Sequence, residues 1–358
     1  MTLRIPDPMV VVGLDNGGTT VNATVLNSFG DFLVEELIET PSLVQEGPTV
    51  AVQALVDAFE NVLAVTHTPR TSVGAVGFDS PGPSSATGVI SSRGSTNFRH
   101  PGWRNFDFRS ALEDRLGIPV VYNNDTNAAA LYAHQVHFGH DARTRSSVAM
   151  IVGTGLGGGI VEEGSVLRGT SGMAGELGHV LIQLDGLLEP GQPVPLCNCG
   201  QSGDAESFAS LTGITNNLLP YWLTRYPDHP LHQLPIDKAA RAVRGLAENG
   251  DELALNIFTQ QATAIGRVFS IAANFTDPDA YFVGGGVVEA APHFRDWFLA
   301  TVRDHTTLRD EQAQRARITV VPDLDMAGAR GAALGALAAL TGTAINLTRR
   351  SGTVEPVR

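Results

Sequence analysis

The hydrophobic positions of this chain fall into two copies of one short pattern. Residues 9–14 form an unbroken apolar run, the mark of a strand covered on both faces. The run stops at Asp15-Asn16-Gly17-Gly18-Thr19-Thr20, and apolar residues then alternate with polar ones over 21–26. Strand, glycine-rich turn and strand together predict a hairpin. The pattern returns near residue 147: an apolar run over 148–152, then Gly153-Thr154-Gly155-Leu156-Gly157-Gly158-Gly159, then Ile160-Val161, ending at Glu162-Glu163-Gly164. Two copies about one domain apart predict an internal duplication, with each turn facing a cleft between two similar lobes.

Between and after the hairpins the pattern alternates strands and helices, as in an α/β fold. Apolar residues at helical spacing predict a helix over 49–65, and a strand over 73–78 ends at Ser80-Pro81-Gly82-Pro83. A loop over 93–103 leads to a helix over 108–116 and a strand over 119–122. Asn123-Asn124-Asp125-Thr126-Asn127 then reads as a helix start capped by short polar side chains. Further on come a proline-rich loop at 189–195 and a mostly helical stretch over 205–275. After them come Tyr281-Phe282-Val283-Gly284-Gly285-Gly286 and a small-residue helix from 327 to about 341. The expected division is a smaller lobe over 1–123, joined by the C-terminal helix near 328–345, and a larger lobe over 124–327. The larger lobe carries the loop 179–206.

Composition removes several chemistries. The chain has 358 residues, room for two domains of ordinary size. A net charge of −13 argues against a nucleic-acid face. Its single lysine, Lys238, sits in a polar stretch. A Walker A loop and the strand lysine of a protein kinase are therefore both absent. Cys197 and Cys199 are the only cysteines. At that spacing they suit reduced thiols in a cytoplasmic protein, or metal ligands, better than an ordinary disulfide. The N-terminus has no signal-peptide core, and no apolar run is expected to reach membrane-spanning length.

Gly153, Gly155 and Gly158 satisfy the dinucleotide pattern G-x-G-x-x-G, but a strand follows them where a Rossmann site needs a helix. A glycine hairpin can still cradle phosphate through close backbone N–H groups, with threonine hydroxyls as further donors. Without lysine, the phosphate charge must be offset by Mg²⁺, backbone dipoles and arginine. Asp15, at the end of the first strand, suits hydrated Mg²⁺. Asp125, read by itself, is a helix cap whose carboxylate can project into a cleft.

Five motifs then occur in order: Asp15-x-Gly-Gly-Thr19, Asn124-Asp125-x-Asn127-Ala-Ala, Gly153-Thr-Gly-x-Gly-Gly-Gly159, Gly175-Glu176-x-Gly178-His179 and Cys197-x-Cys199-Gly200. In these the chain resembles the ROK family of bacterial sugar kinases and related repressors, from about Val10 to Leu337. The resemblance implies a two-lobed actin-like ATPase fold of the ribonuclease H-like type, with ATP in the central cleft. It implies phosphate contacts from Asp15, Gly17, Gly18, Thr19 and Thr20 and from Gly153, Thr154, Gly155, Gly157 and Gly158. Adenosine contacts would come from Gly284, Gly285 and Gly286. It makes Asp125 the catalytic base, Asp15 a magnesium partner through water, and Asn97, Asn124, Asp125, Glu176, His179 and Glu206 the residues that hold the sugar.

The resemblance also implies a structural zinc on His179, Cys197 and Cys199. The family's Cys-x-Cys-Gly-x-x-Gly-Cys-x-Glu reads here Cys197-Asn-Cys199-Gly-Gln-Ser-Gly203-Asp204-Ala-Glu206, so Asp204 stands where a cysteine is usual. Aspartate oxygen can ligate zinc, which keeps a His/Cys/Cys/Asp set open. The repressor branch carries an N-terminal helix-turn-helix, whereas eight residues precede the first strand here, so the kinase branch is expected. The resemblance implies a homodimer or homotetramer, and the expected substrate is a hexose, glucose first, with no nucleic-acid or membrane partner. Amino sugars and C7-cyclitols of the valiolone type are alternative acceptors, and a non-catalytic sugar-binding regulator is the alternative class.

Overall fold

A computed structural model of the chain describes residues 9–36, 38–91 and 98–341. Both hairpins are present and antiparallel: β1 (Val10–Asn16) with β2 (Thr20–Leu26), and β6 (Ser147–Val152) with β7 (Leu156–Glu162). Each seeds a five-stranded sheet. The first runs β3 (Ile38–Pro41), β2, β1, β4 (Val73–Ser80), β5 (Val120–Asn124), and the second β8 (Ser165–Val166), β7, β6, β9 (Ala280–Gly285), β10 (Arg317–Val320). In both, three strands meander antiparallel, a fourth pairs in parallel with the hairpin's first strand, and a fifth pairs in parallel with the fourth. The repeated glycine turn is thus one part of a repeated topology.

The chain divides into two compact units. One runs to Ala128 and returns for Thr170–Gly172 and from Gly328 onward; the other holds Ala129–Gly169 and Met173–Ala327. In the first unit α1 (Pro48–Val65) covers one face of the sheet, placing Ala51, Leu55, Phe59 and Val62 against Val12, Leu14, Val21 and Val25. Its 18 residues reach a mean hydropathy of 1.2, enough by length and composition for a membrane span. The cause is its wide buried face, which belongs to the core. Next, α2 (Phe108–Leu116) starts where Asp107 accepts the Ser110 N–H at 2.9 Å and stops at Gly117, whose φ of 66° suits glycine.

The other face of this sheet lies under the C-terminal helix α10 (Leu324–Leu340). Its neighbour α3 (Asp125–Phe138) follows β5 directly. The second unit adds α4 (Leu211–Gly213), a π turn over Ile214–Leu218 and α5 (Leu219–Arg225). It continues with α6 (Ile236–Glu248), α7 (Glu252–Thr276), α8 (Pro292–Asp304) and α9 (Asp310–Arg315). Its core is centred on α7, where Ile257, Ala264, Ile265, Val268 and Phe269 are buried with Val148, Met150, Tyr281 and Val283 of the sheet.

α10 (Leu324–Leu340) explains its own small residues. Ala333, Ala336 and Ala339 pack on Val11, Ala75 and Val121. Between those side chains β1 and β4 each present a glycine, and a Cβ on Gly13 or Gly77 would run into the α10 backbone at Ala329 or Ala332. The helix can lie this close only because both strands lack a side chain there. Gly77→Ala is therefore expected to destabilise the protein by about 1–3 kcal/mol, the usual range for overpacking. A lower urea midpoint at unchanged m-value would report it; a midpoint equal to the wild type would refute the close-packing account.

Candidate active site

The parallel strands of the first sheet end together and bring three carboxylates to one edge. Asp15 on β1 is in register with Asp79 on β4, and Asp79 is in register with Asn123 on β5. One residue beyond β5, Asp125 opens α3. Asn22 donates to Asp15 Oδ2 at 3.2 Å. Asp79 is wholly buried, and among the described residues neither of its carboxylate oxygens receives a hydrogen bond from a donor side chain or backbone amide. Burial raises both carboxyls. For Asp79 the rise is large, because the charges of Asp15 and Asp125 add to it; for Asp15, contact with Asp79 and Asn22 works the other way.

Asp125 and Asn124 share the capping work that the sequence suggests. The Thr126 N–H reaches Asp125 Oδ1 at 2.7 Å and Asn124 Oδ1 at 3.0 Å, and the Thr126 hydroxyl donates to Asp125 Oδ1 at 3.2 Å. Beneath them the Tyr122 hydroxyl meets Ser80 Oγ at 3.0 Å and Ser84 Oγ at 2.5 Å, and burial pushes its pKa up to about 12. The neighbouring turn of β1 closes by a 2.8 Å bond from the Gly17 N–H to the Thr20 carbonyl, with Thr19 exposed. Asn97 lies outside the described residues.

The second unit holds the other glycine turn and braces it from behind. The carbonyls of Gly153 and Thr154 accept from the Leu211 and Thr212 N–H groups at 2.9 and 3.1 Å, and the Thr212 hydroxyl adds a 2.7 Å bond to Thr154. Glu206 accepts the Leu156 N–H at 2.9 Å through Oε2, the same oxygen that would lie 2.7 Å from a Cβ on Gly155. Its other oxygen faces Cys197 Sγ at 3.4 Å. Glu206 thus ties the glycine turn to the cysteine loop. At the end of β9, Gly285 takes φ 94° against Val152, and Arg244 Nη1 donates to the Gly286 carbonyl at 2.6 Å.

His179, Cys197, Cys199 and Asp204 converge, with one ligand atom from each within 4.8 Å of the others. A 3-10 turn over Leu177–His179 sets the histidine, with Glu176 just before it. A bridge between Leu181 and Asp204 joins the two arms of the loop. His179 Nδ1 lies 3.2 Å from Asp204 Oδ2 and 3.8 Å from Cys197 Sγ, and Cys199 Sγ lies 3.5 Å from the same Asp204 oxygen. Tetrahedral zinc with bonds of about 2.0–2.3 Å needs ligand atoms at about these separations, so the donor set fits.

The charges in this cluster follow from its contacts. The bond to Asp204 lifts the His179 imidazole to about 9. Burial alone would raise Asp204, but hydrogen bonds from His179, Cys197 and Ser207 bring it below its ordinary value. Burial pushes the Cys197 thiol up. Asp204 Oδ1 accepts the Ser207 N–H at 2.9 Å.

Sequence reasoning missed Asp79. Its signal was an acidic residue at the end of a buried strand, immediately before Ser80-Pro81-Gly82-Pro83.

Comparison with known proteins supplies the family. A model of the ROK family matches residues 11–339. The glucokinase of Halalkalibacterium halodurans is 32% identical over 311 residues, covering 83% of this chain and 89% of that one. The crystal structure of a ROK hexokinase from Thermus thermophilus is 31% identical, with a TM-score of 0.71 over 93% of this chain and 100% of that one. A ROK glucokinase from Streptomyces griseus, solved with glucose and AMPPNP, is 26% identical, with a TM-score of 0.64 over 92% and 99%. The fold is the actin-like ATPase fold, and with the family match spanning nearly the whole sequence this chain belongs to the ROK family.

Proposed function

We propose that the chain is an ATP-dependent sugar kinase in which Asp125 takes the proton from the acceptor hydroxyl as the γ-phosphoryl group is transferred. The observation that carries this reading is the position of Asp125, at the head of α3 and on the same sheet edge as Asp15. Phosphoryl transfer to an alcohol needs a base beside the hydroxyl and a neutralised, positioned phosphate. In the proposed division of labour the turns at 15–20 and 153–158 hold phosphate oxygens, and Gly284, Gly285 and Gly286 border the adenosine. Asn97, Asn124, Glu176 and His179 hold the acceptor's hydroxyls. Glu206 supports the glycine turn through Leu156, a contact that adds a positioning task to its expected sugar contact.

Asp15 would hold magnesium, which supplies charge neutralisation for the phosphates in a chain with one lysine. His179, Cys197, Cys199 and Asp204 would hold zinc, which supplies a rigid anchor for the 197–206 loop and fixes the imidazole through Nδ1. The other ring nitrogen is then left to meet a sugar hydroxyl.

The glucokinase names of the relatives favour a hexose, with glucose first. The test is ADP release from Mg-ATP against glucose, other hexoses, amino sugars, N-acetyl amino sugars and C7-cyclitols. Acceptor-dependent ADP release is expected with one of them, and the strongest identifies the substrate class. Measurable sugar binding with no turnover on any acceptor would overturn the kinase reading in favour of a sugar-binding regulator.

A further inference from the structure

The sheet edge that carries Asp15 and Asp125 holds a carboxylate outside all five sequence motifs. Asp79 sits beside Asp15 on the adjacent parallel strand, wholly buried, with both oxygens unserved by any donor among the described residues. A buried ionised carboxylate left in this state is costly, and it persists where a cation or a proton compensates it. Among the described residues neither Asp15 nor Asp79 takes part in an ion pair. The chain's one lysine, Lys238, is on α6. The Tyr122 hydroxyl is committed to Ser80 and Ser84, and the Asn22 amide to Asp15. On the α10 side Gly328 faces Asp15, where a Cβ would lie 2.7 Å from the carboxylate carbon, so no side chain from that position can serve either acid.

We propose that Asp15 and Asp79 form a two-carboxylate site for a divalent cation, with Asp79 a second protein ligand for the magnesium. The proposal rests on the kinase reading for the cation's role. Mg²⁺ in phosphoryl-transfer sites is commonly held by one or two carboxylates, keeping its other positions for water and phosphate oxygens. Two acids on neighbouring strands meet that need, and the cation in turn lets both ionise side by side. A single carboxylate reached through water would leave the metal to arrive with the nucleotide. A pair of carboxylates gives the protein its own affinity for the metal, so the cation binds before ATP does.

The probe is Mn²⁺, whose free form is read by electron paramagnetic resonance, titrated into the full chain without nucleotide. Wild type is expected to take up Mn²⁺ that Mg²⁺ displaces, and Asp79→Asn to bind it at least tenfold more weakly. Asp79→Ser serves as the second variant, and thermal unfolding of each confirms that it is folded. No Mn²⁺ uptake by the wild type without nucleotide overturns the proposal, as does equal uptake by folded Asp79 variants. Sugar-dependent ADP release is measured separately. A chain that binds Mn²⁺ through Asp79 yet phosphorylates nothing overturns the kinase reading and leaves the site standing. A working kinase whose Asp79→Asn form binds Mn²⁺ like the wild type overturns the site alone.

Discussion

Asp125→Asn is expected to lower kcat for sugar-dependent ADP release by about 10²–10⁴-fold, the range for loss of a general base. The change should leave the fold nearly untouched. Asp125 accepts the Thr126 N–H at 2.7 Å and the Thr126 hydroxyl at 3.2 Å through one oxygen, Oδ1. An asparagine amide oxygen can occupy the same place, and Asn124 already offers a second acceptor to the Thr126 N–H at 3.0 Å. The start of α3 therefore keeps its cap, and what the substitution removes is the ability to take a proton. Steady-state kinetics separates the two roles. A large fall in kcat with a smaller change in the acceptor's KM, at an unchanged thermal midpoint, is the signature of the base. Turnover close to wild type would show that Asp125 is only a helix cap, and the base would have to be sought elsewhere on the same sheet edge.

The sequence made the repeated hairpins legible because their signal is local: an unbroken apolar run, a glycine turn, a second strand. It also placed the His/Cys/Cys/Asp set, because Cys197, Cys199 and Asp204 fall within one short loop and the family's motif supplies His179. What stayed hidden depends on register and on contacts between distant segments. Asp79 was visible as a residue at a strand end, but only the alignment of β4 with β1 puts it beside Asp15. Nothing in the residues around 79 encodes that neighbour. Glu206 was expected at the sugar from its motif, while its bond to Leu156 spans fifty positions of chain. The small residues of α10 announced a helix, and the reason for them, a strand glycine beneath Ala329 and another beneath Ala332, is a property of the packed sheet. The apolar content of α1 is a similar case. Its composition alone does not say whether lipid or a β-sheet covers the buried face.

Replacing Asp204 should decide whether the proposed zinc is held by His179, Cys197, Cys199 and Asp204. Its side chain is buried and does two jobs: Oδ2 stands 3.2 Å from His179 Nδ1, and Oδ1 accepts the Ser207 N–H at 2.9 Å. Asp204→Ala removes both. Zinc in protein purified without added metal is expected to fall from about one ion per chain to a small fraction of that, since a tetrahedral structural site seldom survives the loss of a ligand. Leaving the buried Ser207 N–H without an acceptor adds a cost of about 1–3 kcal/mol. Asp204→Cys separates the two effects. A thiolate restores the Cys/Cys/Cys/His set usual at this motif, so this variant is expected to hold zinc at chelator concentrations that strip the wild type. It should still lose the stabilisation that came from Ser207. Zinc content by elemental analysis and thermal midpoints with and without chelator give both readings. Zinc content unchanged in Asp204→Ala would exclude Asp204 as a ligand, and a wild type carrying no zinc would leave the four side chains held by their hydrogen bonds alone.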